Sequence, residues 1–96
     1  MRILVAEPIA PEGVALLREQ HDVDERPGLT RDQLCALLAD YDALIVRSQV
    51  QVDAGIVAAG TRLQVIGRAG VGVDNVDLDA ATRAGITVVN APTGNT

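Results

Sequence analysis

Ala43-Leu44-Ile45-Val46-Arg47-Ser48 is the stretch that decides how this chain folds. Its first four residues carry no polar side chain, so the run has no face suited to water. A strand with one wet face alternates apolar and polar residues, whereas a strand covered on both faces reads as a continuous apolar run. Similar short runs occur at Ile3 to Ala6, Leu63 to Ile66 and Ile86 to Val89, and a weaker one at Asp22 to Glu25. Their centres lie about twenty residues apart, which is the length of a strand plus a crossover helix, and that spacing predicts parallel strands.

The intervening segments carry helix signals. Thr30-Arg31-Asp32-Gln33 can form a capping box, in which Thr30 and Gln33 each satisfy the other's backbone amide, and Leu29 with Leu34 can staple the entry. Leu34, Leu37, Leu38 and Tyr41 then follow the three-and-four spacing of one apolar helical face. Pro11 is suited to the first turn of an earlier helix, with Val14 and Leu17 facing inward. Asp53 and Asp77 are predicted N-caps of two further helices, closed by Gly60 and Gly85 as residues able to take positive φ. Five parallel strands with helices on both faces make an α/β, three-layer, doubly wound sheet. A chain of this size favours the flavodoxin-like order 2-1-3-4-5. Residues 1–96 read as a single domain, with no linker, repeat or low-complexity segment.

Composition narrows the function classes. With eight Arg, no Lys and thirteen acidic residues the net charge is −5, a field that repels nucleic-acid backbones. No apolar run approaches the roughly 20 residues that span a bilayer, and Glu7 and Pro8 interrupt the first strand too early for a secretory signal, so the expected location is cytoplasmic. Cys35 stands alone among Leu34, Leu37 and Leu38, which fits a small apolar residue rather than a disulfide, a metal ligand or an activated thiol. His21 reads as a surface histidine, far in sequence from the strand ends. A metal-ligand cluster, a nucleophile elbow and a P-loop are all missing from the sequence.

Ligands of doubly wound sheets bind beyond the carboxyl ends of the strands. Those places hold Glu7-Pro8, Arg47-Ser48, Gly67-Arg68-Ala69-Gly70-Val71-Gly72 and Asn90-Ala91-Pro92. Arg47 and Arg68 follow adjacent strands in equivalent positions, and a planar guanidinium fork suits carboxylate or phosphate. Two readings stay open from residue type alone: solvated strand-end arginines, or ligands of a small anion. The glycine-rich turn lets backbone approach a ligand, but it continues Val73-Asp74-Asn75 where the third glycine of a dinucleotide fingerprint is needed, so it is not a complete cofactor site. Asp74 and Asn75 are expected to form a turn.

The run from Gly67 to Asp77, then Ala80-Ala81-Thr82, Gly85-Ile86 and Asn90-Ala91-Pro92-Thr93-Gly94-Asn95-Thr96, closely resembles the D-isomer-specific 2-hydroxyacid dehydrogenase family and, within it, the branch that oxidises 3-phosphoglycerate. Val46-Arg47-Ser48 and Ile3 to Ala6 extend the likeness over essentially the whole chain. The resemblance implies a flavodoxin-like substrate domain, interrupted by a nucleotide domain, that oxidises a D-2-hydroxy acid with NAD in serine biosynthesis. It implies that Arg47, Ser48, Arg68 and the backbone at Gly70 bind the anionic substrate, while Val71 and Asn95 face the nicotinamide of NAD.

The same resemblance places the catalytic His, Glu and Arg in the nucleotide domain beyond position 96, together with the dinucleotide fingerprint. The chain is therefore expected to be the first part of a substrate domain, inactive by itself and without the carboxy-terminal helix that returns to complete it. Apolar surface uncovered in that way predicts a homodimer. The competing reading is a stand-alone flavodoxin-like binding or signalling module such as a receiver. Receivers resemble one another in an acidic pair, a phosphoacceptor Asp and a Lys after strands one, three and five, where this chain has Glu7-Pro8, Arg47-Ser48 and Asn90-Ala91.

Overall fold

The computed structural model describes residues 1–70 and 75–91, with only the backbone of Ala91. Strands and helices alternate: β1 (Arg2–Val5), α1 (Pro11–Arg18), β2 (Asp22–Glu25), α2 (Arg31–Leu38), β3 (Ala43–Val46), α3 (Ala54–Ala59), β4 (Val65–Ala69), α4 (Leu78–Arg83) and β5 (Thr87–Ala91). All neighbouring pairs are parallel and the order is β2-β1-β3-β4-β5, as expected. β4 and β5 begin later than the apolar runs that announce them. Leu63 and Ile86 are buried, yet they pack ahead of their strands, because the parallel ladder starts only where Val65 meets Ala43 and Thr87 meets Val65.

The helix caps form as the sequence predicts. Thr30 Oγ1 accepts from the Gln33 amide at 3.2 Å and Gln33 Oε1 accepts from the Thr30 amide at 2.9 Å. Asp53 accepts from the Ile56 amide and Asp77 from the Ala80 amide, each at 3.0 Å. Gly85 takes φ +76 just past α4, and the Ile86 and Gly85 amides close a Schellman motif on Ala81 and Thr82. Gly60 corrects the expectation, since its φ is −86 and any residue could adopt that backbone. It is glycine for space: a Cβ there would meet Leu63 Cβ and Cδ2 at 3.0 Å and Leu38 Cδ2 at 3.3 Å.

Strand order dictates which face each helix covers. Right-handed crossovers from β1 outward to β2 and then from β2 through β5 in the other direction put α1 on one face and α2, α3 and α4 on the other. The packing agrees. Leu4, Leu44, Val46 and Ile66 face a core with Leu34, Leu38, Ile56 and Ala81, whereas Ile3, Val5 and Ala43 face a smaller one with Val14 and Val23. Leu4, Leu38, Leu44, Ile56 and Ile66 are completely buried, and each such side chain contributes about 1.5–3 kcal/mol over an exposed one. The α1 face is thinly covered. Beside α1 runs a groove of about 470 Å³ lined by Ile9, Leu16, Ile45, Val65, Gly67 and Val89, with Leu16 67% and Val89 45% exposed. Among the described residues, no helix is long and apolar enough to cross a membrane.

Candidate functional site

Because every strand runs the same way, the carboxyl ends of β1, β3, β4 and β5 share one edge. Arg68 stands in register with Val46 on one side and Asn90 on the other, so Arg47 follows the strand next to that of Arg68 at the same end of the sheet. Arg47 and Ser48 are exposed and Arg68 is half-buried. The Arg47 guanidinium donates through Nη1 to the Pro8 carbonyl at 3.4 Å, and Arg68 donates through Nε to Asn75 Oδ1 at 2.9 Å. Gly70, at φ +146, lies under the same guanidinium: a Cβ built on it would sit 2.5 Å from Arg68 Nη1. Thus Arg47, Ser48, Arg68 and Gly70 occupy one rim, while Val71 and Asn95 fall outside the described residues.

Two residues that sequence reasoning passed over organise this rim. Glu7 follows β1 and is only 7% exposed, and its carboxylate accepts from the backbone amides of Arg47 (2.6 Å), Gln49 (3.1 Å) and Val50 (3.1 Å). Asn75, expected simply to help form a turn, is equally buried. Its Nδ2 donates to the carbonyls of Arg47 (2.6 Å) and Val50 (2.8 Å). The partners lie 25 to 43 residues away in sequence, and an isolated Glu or Asn after a strand gives no sign of them. No described buried side-chain nitrogen or oxygen is left without a partner, as buried polar groups require.

A second concavity of about 370 Å³ also touches Glu7 and extends to the starts of α2 and α3, lined in part by Leu29, Arg31, Gln49 and Asp53. Asp53 is held down to about 2, first by the hydrogen bond from Arg31 and then by the Ile56 amide. His21 is half-buried at the opposite, amino-terminal edge, where its Nδ1 lies 3.4 Å from the terminal amine. Cys35 packs half-buried against the larger core. Among the described residues, no group of three or more His, Cys, Asp or Glu could hold a metal ion.

A dinucleotide does not fit the described residues after β4. Pyrophosphate binding at a βα turn uses the unsatisfied amides of the following helix. Here the α4 start is already capped by the Asp77 carboxylate, which accepts from Ala80 N and would repel a phosphate. The helix is also only six residues long. Among the described residues, the start of α4 therefore offers no dinucleotide site, whereas the guanidinium groups of Arg47 and Arg68 stand at the strand ends of the same rim.

Residues 3–96 match the D-isomer specific 2-hydroxyacid dehydrogenase family, catalytic domain, and the chain belongs to that family. Among its relatives, D-3-phosphoglycerate dehydrogenase of Archaeoglobus fulgidus is 50% identical over 97 residues, covering 100% of this chain. D-3-phosphoglycerate dehydrogenase 2, chloroplastic, of Arabidopsis thaliana is 55% identical over 96 residues, 99% of this chain. The chain spans 18% of the Archaeoglobus protein and 15% of the Arabidopsis one. In structure it is similar to an NAD+-bound 3-phosphoglycerate dehydrogenase of Entamoeba histolytica, with a TM-score of 0.83 and 33% identity over 94% of this chain and 32% of that one.

Proposed function

We propose that residues 1–96 form the opening part of the substrate domain of an NAD-dependent D-3-phosphoglycerate dehydrogenase, the oxidoreductase that makes 3-phosphohydroxypyruvate for serine biosynthesis. The observation that carries this reading is the pair of arginines on neighbouring strand ends, joined through Asn75, in a chain 50% identical to a relative of that name. The substrate has a carboxylate at one end and a phosphate at the other. Arg47 with Ser48, and Arg68 with the backbone at Gly70, bind these anionic ends. Their forked donors suit planar or tetrahedral oxyanions better than a neutral ligand. Val71 and Asn95 are assigned to the nicotinamide side of the cleft.

When bound to the parent enzyme, NAD would supply the acceptor for the hydride on C2, and the C2 hydroxyl proton would go to a base outside this chain's residues. This chain's residues hold and orient the substrate, and the base and the dinucleotide site belong to a nucleotide domain of the same polypeptide. That division agrees with the poor fit of a dinucleotide after β4. The thinly covered α1 face fits the same scheme, because the resemblance implies a carboxy-terminal helix returning to it.

The test is kinetic, on the full-length protein. Arg47→Ala and Arg68→Ala are each expected to raise KM for 3-phosphoglycerate by at least about tenfold, the loss of one charge-assisted contact, while KM for NAD changes little. D-Lactate, which lacks the phosphate, is expected to be a far poorer substrate. Equal use of D-lactate, or unchanged KM in both variants, would overturn the assignment.

A further inference from the structure

We propose that Glu7 and Asn75 are the positioning residues of this anion site, clamping residues 47–50 by opposite polarities so that Arg47 and Arg68 are held at a set separation before substrate arrives. The inference rests on reading the rim as the substrate site.

β3 ends at Val46, so Arg47 begins a segment that the sheet ladder does not hold. Two side chains hold it instead. Glu7 collects three of its N–H groups, from Arg47, Gln49 and Val50, and Asn75 supplies N–H donors to the carbonyls of Arg47 and Val50. Arg47 and Val50 are each gripped twice, at the amide by a carboxylate and at the carbonyl by a carboxamide. Bonds to an ionised acceptor are the stronger kind, and burial of both clamps strengthens them further.

Asn75 also reaches the second arginine, since its Oδ1 accepts from Arg68 Nε. Carbonyls only accept and a guanidinium only donates, so the amide has one possible orientation and all its bonds depend on it. The Asn75 main chain is pinned in turn. Its carbonyl accepts from Val52 N at 2.8 Å, Val76 pairs with Val52 as a parallel bridge, and Asp77 N donates to Val52 O at 2.8 Å. The segment after β3 and residues 75–77 ahead of α4 are therefore tied together with Asn75 at the centre.

Two like charges on neighbouring strand ends gain nothing from each other, so their placement depends on the backbone that carries them. A site that must recognise two charged ends of one molecule loses affinity if its donors have to be reassembled at each encounter. Neither Glu7 nor Asn75 has to touch substrate for this role.

The experiment uses the full-length protein with Glu7→Gln and Asn75→Asp, both nearly isosteric. Gln turns an NH2 group against backbone amides, and Asp keeps the acceptor for Arg68 but sets an oxygen against two carbonyls. Each is expected to raise KM for 3-phosphoglycerate by about tenfold or more while KM for NAD stays within about twofold, a split that general destabilisation does not produce. If Arg47→Ala and Arg68→Ala raise the substrate KM but the two clamp variants do not, the inference fails and the site assignment stands. If the arginine variants have no effect, the site assignment itself fails. Should the clamp variants not fold, hydrogen exchange on the unmodified protein decides: the Arg47, Gln49 and Val50 amides are expected to be protected although they lie outside β3, and rapid exchange would overturn the clamp.

Discussion

Arg31, the first residue of α2, closes on Asp53, the N-cap of α3, with Nε and Nη2 donating to the two carboxylate oxygens at 3.1 and 2.9 Å. One carboxylate thus caps a helix and ties it to its neighbour. The Arg31 hydrogen bond is the largest cause of the lowered Asp53 value, from the ordinary 3.8 to about 2. Since the folded value lies below the unfolded one, the stabilisation is fully present above about pH 4 and disappears as pH falls toward 2. Asp53→Asn is expected to lower the urea midpoint at pH 6, with the gap from the unmodified chain closing by about pH 2. A gap that does not depend on pH would refute this account. The pair is exposed, so added salt should also shrink the gap.

Gly60 and Gly85 predict different failures from the same substitution. Gly60→Ala drives a methyl group into Leu63 and Leu38, and overpacking of this kind costs about 1–3 kcal/mol. Shortening Leu63 to Ala should recover part of that loss. Gly85→Ala meets no atom within 4 Å, but it strains a backbone at φ +76 by about 1–2 kcal/mol. Gly85→Asn should be the milder change, because Asn enters the left-handed region more readily. Denaturant titration of the four variants checks both mechanisms, and equal losses for Ala and Asn at position 85 would contradict the second.

Gly70→Ala tests the contact between the turn and Arg68. A Cβ at φ +146 would lie 2.5 Å from Arg68 Nη1, so either the turn or the guanidinium must move. In the full-length protein KM for 3-phosphoglycerate is expected to rise by about tenfold, with a smaller effect on stability. Normal substrate KM in a folded Gly70→Ala protein would show that this approach has no bearing on binding.

Leu16 and Val89 report on the thinly covered face. A polypeptide of residues 1–96 alone is expected to self-associate through it, and Leu16→Glu with Val89→Lys should return it to monomer in sedimentation. The same pair should destabilise a longer polypeptide in which another segment covers the groove. Leu38→Ala serves as the core control, costing about 2–5 kcal/mol in either setting. A monomer at high concentration before any substitution would argue against self-association.

Much of the fold was legible because its signals are local. A capping box needs only Thr30 and Gln33, an N-cap needs Asp53 and the amide three residues on, and a doubly covered strand shows itself in four consecutive apolar residues. Strand spacing and the handedness of crossovers then leave few topologies. The arginines were legible for the same reason, as residues directly after a recognisable strand. Where each strand begins was less so, because Leu63 and Ile86 are apolar for packing ahead of the ladder and not for pairing within it.

The sequence by itself determined the five parallel strands, their caps and the edge on which Arg47, Ser48, Arg68 and Gly70 stand. Only the tertiary structure decided that Glu7 and Asn75 hold that edge together, and that Gly60 is small because Leu38 and Leu63 fill its space. The physical reason is range: propensity and capping act over three or four residues, whereas a buried carboxylate or carboxamide takes whatever amides and carbonyls the folded chain brings within about 3 Å. Those partners come from positions tens of residues away, and no local pattern encodes them.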